Sequence, residues 1–183
     1  MSIQEKIREF RPAILFLAKF IAIYLVGNFL YGLYVSSFRP EPDPITTLVT
    51  AQTSGLLNAL GFETSWTNNP GKPTTQIDVG RRHILAVYEG CNGINVMVIF
   101  VAFVTAFGRM HKRLLWFIPV GLVLVHLANL GRLIFLFVIT TRFPGYFYFT
   151  HKYLFTAAIY VMVLLLWIWW VRLVTKDRTD QAA

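Results

Sequence analysis

Cysteine is almost missing from this sequence, since Cys91 is the only one among 183 residues. A single thiol cannot form a disulfide within the chain, which excludes a disulfide-stapled fold. One cysteine and scattered histidines also lack the paired spacings of a zinc site, so we predict no metal and no other cofactor. Internal repeats, low-complexity tracts and glycosylation sequons are missing too, and a repeat architecture is therefore excluded.

Acidic residues are scarce as well: 9 Asp and Glu stand against 17 Lys and Arg, a net charge of +8. Such an excess is typical of proteins that bind nucleic acid or anionic lipid, but here the basic residues cluster at the ends of long apolar runs. Under the positive-inside rule these clusters place both termini in the cytoplasm. We therefore predict no nucleic-acid partner. The clusters are Lys6, Arg8, Arg11 and Lys19; Arg109, Lys112 and Arg113; and Arg172, Lys176 and Arg178.

Hydrophobic residues are abundant, at 56% of the chain, and the mean hydropathy is +0.56. These values are typical of a membrane protein. A spanning helix needs about 20 apolar residues, which three runs reach or approach and which a fourth reaches only by extending from 91 to 110. We predict one all-α, multi-pass membrane domain over residues 1–183. Its spans are predicted at residues 12–35, 91–110, 114–140 and 153–171.

The first apolar run, residues 12–35, is predicted to be an anchor that stays in the mature protein. It is longer than the apolar region of a cleaved signal peptide, which has about 7–15 residues. No small-x-small cleavage site follows it. This helix therefore counts as the first of about four spans.

The segment 36–90 is predicted to lie outside the cytoplasm. Residues 45–60 carry apolar side chains on one helical face, which predicts an amphipathic helix either flat on the bilayer surface or capping the bundle, both equally favoured. Residues 67–73 predict a mobile turn, and residues 75–79 and 83–88 predict a short β-hairpin that leads to Cys91. The apolar face consists of Ile45, Leu48, Val49, Leu56, Leu57 and Leu60.

Cys91 lies where the polar outer segment becomes the second predicted span. Gly90 and Gly93 allow the backbone to turn and to approach a ligand closely, and Asn92 can cap the new helix. The positive end of the helix dipole favours a thiolate, whereas burial and nearby Glu89 oppose it. These flanks favour a reactive nucleophile over a cysteine that only packs.

Arg132 is the candidate positive neighbour of this thiol. A rise of 1.5 Å per residue puts it about 27 Å from Leu114, close to the outer membrane interface. An intramembrane arginine is costly unless it has a partner, so a functional role is favoured over simple snorkelling to the headgroups. Asn129 lies three residues earlier on the same face and is predicted to orient the guanidinium. His126 is deeper and is predicted either to pack or to support the residues that form the site.

His151 follows the aromatic outer segment 141–152 and is predicted to enter from the same face as Cys91. An imidazole that titrates near neutral pH suits proton transfer. The alternative is an interfacial histidine among the aromatic residues of the membrane belt. His83 belongs to the predicted hairpin, and His111 lies in the cytoplasmic loop, from which it cannot reach this site.

Together these residues resemble the exosortase and archaeosortase family of membrane-embedded protein-sorting enzymes. That family has a Cys-x-Gly motif opening a transmembrane helix, an Asn-x-x-Arg motif on the next span and a downstream histidine. The resemblance covers roughly residues 88–170. Asparagine in place of the more usual serine after the cysteine, and the short chain, are similar to the short F-type bacterial exosortases. The matching residues are Cys91-Asn92-Gly93, Asn129-Leu130-Gly131-Arg132 and His151.

The resemblance implies a cysteine transpeptidase or protease, a hydrolase-type enzyme of protein sorting. Cys91 would attack the scissile carbonyl and form a thioester. His151 would protonate the departing amine, and Arg132 would stabilise the oxyanion or the thiolate. The supporting residues implied around them are Asn129, Glu89 and Asn92.

The resemblance also implies partners and a location. The substrate would be an exported protein with a C-terminal tail made of a short motif, a hydrophobic helix and a basic end. The acceptor would be a lipid, a glycan precursor or water, with membrane lipid around the enzyme and a small accessory membrane protein left open. The enzyme would reside in the bacterial inner membrane with its active site facing the periplasm.

Two other functions remain open from the residues alone. The first is a non-enzymatic membrane assembly subunit of an export or surface-polysaccharide system, in which the polar residues hold helices together. The second is a small transporter. It is less favoured because the intramembrane polar residues gather near one face and no broken helices are evident.

Overall fold

A computed structural model describes residues 3–107 and 112–180, with side chains described for 9–107 and 112–175. The chain is mostly helical, with one small sheet in the segment after the second helix. Arg109, Met110 and His111 lie outside the described residues, as do the side chains of Lys6, Arg8, Lys176 and Arg178. The elements are α1 (Ile3–Ser36), α2 (Pro44–Ala59), β1 (Ser65–Asn68), β2 (Thr74–Val79), β3 (Arg82–Tyr88), α3 (Ile94–Ala106), α4 (Leu114–Arg142) and α5 (Phe155–Asp180).

Within the described residues, three helices are long and apolar enough to cross a membrane: Glu9–Ser36, Leu114–Arg142 and Pro144–Thr175. This confirms the prediction of a helical membrane protein. Helix α3 is apolar but has only 13 residues, about 20 Å of helix against a hydrocarbon thickness of about 30 Å. Four spans with both termini inside therefore stay a prediction.

The predicted outer segment at residues 141–152 is helical over most of its length. Helix α4 continues to Arg142, and the chain is already helical again from Pro144, through a 3-10 turn (Pro144–Tyr146), one α-turn (Phe147–Phe149) and a π-turn (Thr150–Leu154). Proline is well suited to the first position of a helix, and Pro144 begins the 3-10 turn. His151 is consequently held in a helical turn.

Helix α2 begins after Asp43, whose Oδ1 accepts hydrogen bonds from the Ile45 and Thr46 amides at 3.0 Å each. The predicted apolar face is divided: Val49 and Leu57 are buried, while Leu48, Leu56 and Leu60 are exposed. The buried face is instead mostly hydroxylic, because short threonine and serine side chains allow close packing on α4 and β2. Its members are Thr46, Val49, Thr50, Thr53, Ser54 and Leu57.

The predicted hairpin is one part of a three-stranded antiparallel sheet with the order β1-β2-β3. Strand β1 was not predicted, and residues 67 and 68 belong to it rather than to the predicted turn. All four β1 residues are exposed, so no alternation of apolar and polar residues marked the strand. The turn between β1 and β2 is closed by a hydrogen bond from the Asn69 amide to the Thr74 carbonyl, 2.9 Å.

Two buried clusters hold the fold together. One joins the sheet and α2 to the second half of α4, and Cys91 is part of it; the other joins α3, α4 and α5. Because Cys91 belongs to the first cluster, the packing of the sheet on α4 positions the thiol. The first cluster is Val49, Leu57, Ile77, Leu85, Val87, Cys91, Leu130, Leu133, Leu136 and Phe137; the second is Phe100, Val104, Phe117, Val125, Val163, Leu166, Trp170 and Val174.

Candidate active site

Cys91 lies in a single 3-10 turn, Glu89–Cys91, between the end of β3 and the start of α3. Its side chain is buried, with 3% exposure. Gly93 follows with a φ of +86°, a conformation that side chains with a Cβ rarely adopt. A Cβ at Gly93 would also come within 3.1 Å of the Asn129 side-chain carbon Cγ. The turn therefore needs glycine both for its backbone angle and for the close approach of α4.

Asn129 binds the backbone of this turn. Its Nδ2 donates to the Cys91 carbonyl at 2.9 Å, and the residue is only 1% exposed. Its Oδ1 is buried without a hydrogen-bond partner among the described residues. We predicted that Asn129 orients the Arg132 guanidinium. Its side chain binds the cysteine backbone instead.

Asn92 joins three helices at the same point. Its Oδ1 accepts from the Ile94 amide at 3.1 Å, next to Gly93, which occupies the N-cap position of the new helix. Its Nδ2 donates to the hydroxyl of Tyr31 on α1 at 2.6 Å and to that of Thr46 on α2 at 3.0 Å. The Thr46 hydroxyl in turn donates to Asp43 at 2.6 Å. This network of bonds fixes the turn to α1 and α2, as Asn129 fixes it to α4.

Glu89 supports the turn without facing the thiol. Its carboxylate pairs with the Arg39 guanidinium at 3.3 Å, and its backbone carbonyl accepts from the Tyr31 hydroxyl at 3.2 Å. The Arg39 side chain is largely exposed, so this ion pair contributes little to stability. The opposition to a thiolate that we expected from Glu89 is not among the causes acting on Cys91.

Arg132 is the positive neighbour of the thiol, as predicted. Burial raises the pKa of the Cys91 thiol above its ordinary value, while Arg132, the Tyr88 backbone N–H and the Tyr88 hydroxyl lower it in part. These are the expected directions for a desolvated thiol that also has a cation and two donors beside it. Nε of Arg132 is buried and has no hydrogen-bond partner in the described part of the chain. A donor thus remains free next to the sulfur.

Tyr88 is the site residue that sequence reasoning missed. It ends β3, is 45% exposed, and its ring lies so close over Gly90 that a Cβ there would collide with it. The charge of Cys91 and burial raise the pKa of Tyr88, and Arg132 lowers it. Cysteine, tyrosine and arginine therefore form one electrostatic cluster. The available signal was its place three residues before the cysteine, at the end of a strand.

His151 reaches this cluster through Arg132, whose charge acts on its ring. The imidazole stacks on Phe147, with ring centroids 5.6 Å apart and an interplanar angle of 16°. No hydrogen bond joins His151 to the thiol within residues 3–107 and 112–180. Arg132 interacts with both residues. The three predicted site residues come from three separate elements of the chain.

The sequence pattern of the transmembrane exosortases matches residues 6–170, most of the chain. This protein belongs to the transmembrane exosortase family. No curated protein and no solved structure matches it. At the level of the family, exosortases are membrane-embedded sorting transpeptidases that act on exported proteins carrying sorting signals.

The two other histidines that the structure describes have separate partners. His126 Nε2 bonds with Gln52 Oε1 on α2 at 2.9 Å, and His83 Nδ1 bonds with Asp78 Oδ1 at 2.7 Å in the sheet. Across the described ranges, no group of three His, Cys, Asp or Glu side chains comes together that could hold a metal ion. The polar side chains that act on the sulfur are those of Arg132 and Tyr88.

Proposed function

We propose that this exosortase is a cysteine transpeptidase that cleaves C-terminal sorting tails through a thioester on Cys91. It works at the outer face of the bacterial inner membrane. The observation that carries the proposal is the surroundings of the only cysteine: burial raises the pKa of its thiol, a guanidinium and a tyrosine beside it oppose that rise, and Asn129 binds its backbone. A cysteine that only packed would need none of these contacts.

The reaction follows from the chemistry of a thiol and a peptide. Sγ of Cys91 attacks the scissile carbonyl carbon, a carbon–sulfur bond forms, and the peptide carbon–nitrogen bond breaks. The thiol proton ends on the departing amine. A lipid, a glycan precursor or water then attacks the thioester and regenerates the thiol.

Arg132 stabilises the negative charge that moves from sulfur to the carbonyl oxygen. Its buried Nε has no partner within the described ranges, so it can bind the oxyanion without first breaking another hydrogen bond. Its positive charge also favours the thiolate before the attack. The Tyr88 hydroxyl, which also bonds to the thiol, is a second donor to either species.

His151 serves the departing amine rather than the thiol. The absence of a hydrogen bond to Cys91 in the described part of the chain agrees with this role, because the amine lies on the far side of the scissile carbonyl from the sulfur. Stacking on Phe147 fixes the plane of the ring. An imidazole positioned in this way can deliver the proton that the amine needs.

The test is processing of an exported reporter that ends in a motif, a hydrophobic helix and a basic cluster. Cys91→Ser and Cys91→Ala should abolish cleavage while membrane abundance stays normal. His151→Ala should slow the release of the tail and His126→Ala, the matched control on α4, should not. Normal cleavage by Cys91→Ala would remove the catalytic role and leave an assembly subunit as the better explanation.

A further inference from the structure

Strand β3 lies at the edge of the sheet and leads directly to the nucleophile. In the order β1-β2-β3, β3 pairs with β2 on one side only. Two residues, Glu89 and Gly90, separate the end of β3 at Tyr88 from Cys91. An edge strand that ends at a reactive thiol is a geometry in which an extended peptide could both bind and react.

The register tells which backbone groups of β3 point to the free edge. The Asn69 amide donates to the Thr74 carbonyl, so Thr74 faces β1. Because backbone groups alternate sides along a strand, Thr75 faces β3, where it pairs with Val87. The neighbouring residues of β3, Ala86 and Tyr88, therefore direct their N–H and C=O groups away from the sheet.

This edge is open at Ala86. Ala86 is exposed, and no other element of the described chain donates to or accepts from its backbone. Two residues on, the outward N–H of Tyr88 faces the Cys91 sulfur. Neighbouring strands are about 4.8 Å apart, so the sulfur occupies the path that a fourth strand would follow.

We infer that the free edge of β3 binds the extended substrate segment before the cleavage point as a fourth strand, through the N–H and C=O of Ala86. This inference rests on the proposed function and adds the substrate-binding site to it. Main-chain bonds to Ala86 would place the residue opposite Tyr88 with its carbonyl carbon next to Sγ. Recognition of this kind depends on the peptide backbone and therefore serves many side-chain sequences.

The substrate strand runs parallel to β3. After Cys91 the enzyme chain enters α3, an apolar helix, and in the proposed substrate a hydrophobic helix likewise follows the cleavage point. Only a parallel strand brings these two helices to the same side. Counting back from the scissile carbonyl, the second residue then donates its N–H to the Ala86 carbonyl, whereas the N–H of the third points away from the enzyme.

The experiment measures alkylation of Cys91 in the full chain in lipid nanodiscs. The probe is acetyl-trialanine chloromethyl ketone; Sγ displaces chloride from the methylene carbon, and the thiol proton goes to the buffer. Methylation of the second alanine nitrogen, counted from the reactive end, should slow alkylation about tenfold, the worth of one or two hydrogen bonds. Methylation of the third nitrogen is the matched control and should change the rate less than twofold. Equal rates for the two methylated probes would overturn the inference.

A protein variant tests the same contact from the other side. Ala86→Pro removes an N–H that points away from β2, a position where an edge strand tolerates proline. It should slow the peptide probe about tenfold and leave the rate with iodoacetamide, which needs no strand, unchanged. Asn68→Pro removes an outward N–H at the opposite edge of the sheet and should leave both rates unchanged. A peptide-probe rate in Ala86→Pro equal to the wild-type rate would count against the inference.

These readouts separate the inference from the proposed function, because alkylation needs binding at the edge but no turnover. Loss of the probe preference with normal, Cys91-dependent processing would overturn strand addition alone. A clear probe preference in a chain whose Cys91→Ala variant still processes the reporter would overturn the catalytic role alone.

Discussion

The side-chain amide of Asn129 holds the backbone carbonyl of Cys91 at 2.9 Å. Helix α4 thus fixes the turn that carries the thiol, and the same helix supplies Arg132 one turn further on. Nucleophile and cation are positioned by one rigid element, which keeps their separation constant. Catalytic groups depend on such positioning, because a displacement of about 1 Å can cost roughly a hundredfold in rate.

Asn129→Leu should disturb both stability and activity. The Cys91 carbonyl would stay buried without a donor, which costs about 1–3 kcal/mol of unfolding free energy, and the turn would lose its alignment. We expect reporter cleavage to fall at least tenfold in a membrane assay. Asn28→Leu is the control, since Asn28 bonds only to the Tyr24 carbonyl of its own helix. Similar losses in both variants would contradict a specific role for Asn129.

Gly93→Ala should destabilise the site, whereas Gly131→Ala should not. At Gly93 the substitution meets a left-handed backbone and the Asn129 side chain, at a cost of about 1–2 kcal/mol for the backbone alone. At Gly131, inside α4, a Cβ meets nothing within 4 Å, so alanine should stabilise by up to about 1 kcal/mol. Thermal unfolding in detergent compares the two, and a Gly93→Ala variant as stable as Gly131→Ala would refute the prediction.

The reactivity of Cys91 should rise with pH beyond the range of an ordinary cysteine. Burial raises the pKa of its thiol, so the fraction of reactive thiolate increases only at pH values above the usual thiol pKa of about 8.5. Arg132→Ala removes a charge that lowers this pKa, and the midpoint should therefore move to still higher pH. Tyr88→Phe should move it in the same direction by less, because the backbone N–H remains. The measurement is the iodoacetamide rate against pH, and a midpoint lowered by Arg132→Ala would contradict the proposed contact.

Arg132→Lys should not restore what Arg132→Ala loses. Lysine keeps the charge but has neither the planar fork nor the Nε donor. Loss of one oxyanion donor costs about 10²–10³ in rate, and we expect cleavage by the lysine variant to fall by that order. Arg142→Lys, at the exposed end of the same helix, is the control. Near-normal cleavage by Arg132→Lys would mean that only the charge matters.

Local patterns in the sequence were sufficient for much of this protein. Long apolar runs predicted the three long helices, because the need to satisfy backbone groups in lipid leaves few alternatives. The glycines around Cys91 and the asparagine after it predicted a turn capped at the start of a helix. The spacing of Asn129 and Arg132 predicted that both lie on the face of α4 that meets this turn.

Contacts between distant segments were decided only by the tertiary structure. Strand β1 has no apolar alternation and exists because it pairs with β2. The buried face of α2 is hydroxylic because α4 and β2 approach it closely, which no periodicity in residues 45–60 reveals. Asn129 binds the Cys91 carbonyl instead of the guanidinium because the packing of the sheet brings that carbonyl to α4. Tyr88 joins the site for the same reason: hydropathy records which surfaces are buried, and only packing determines which partners share them.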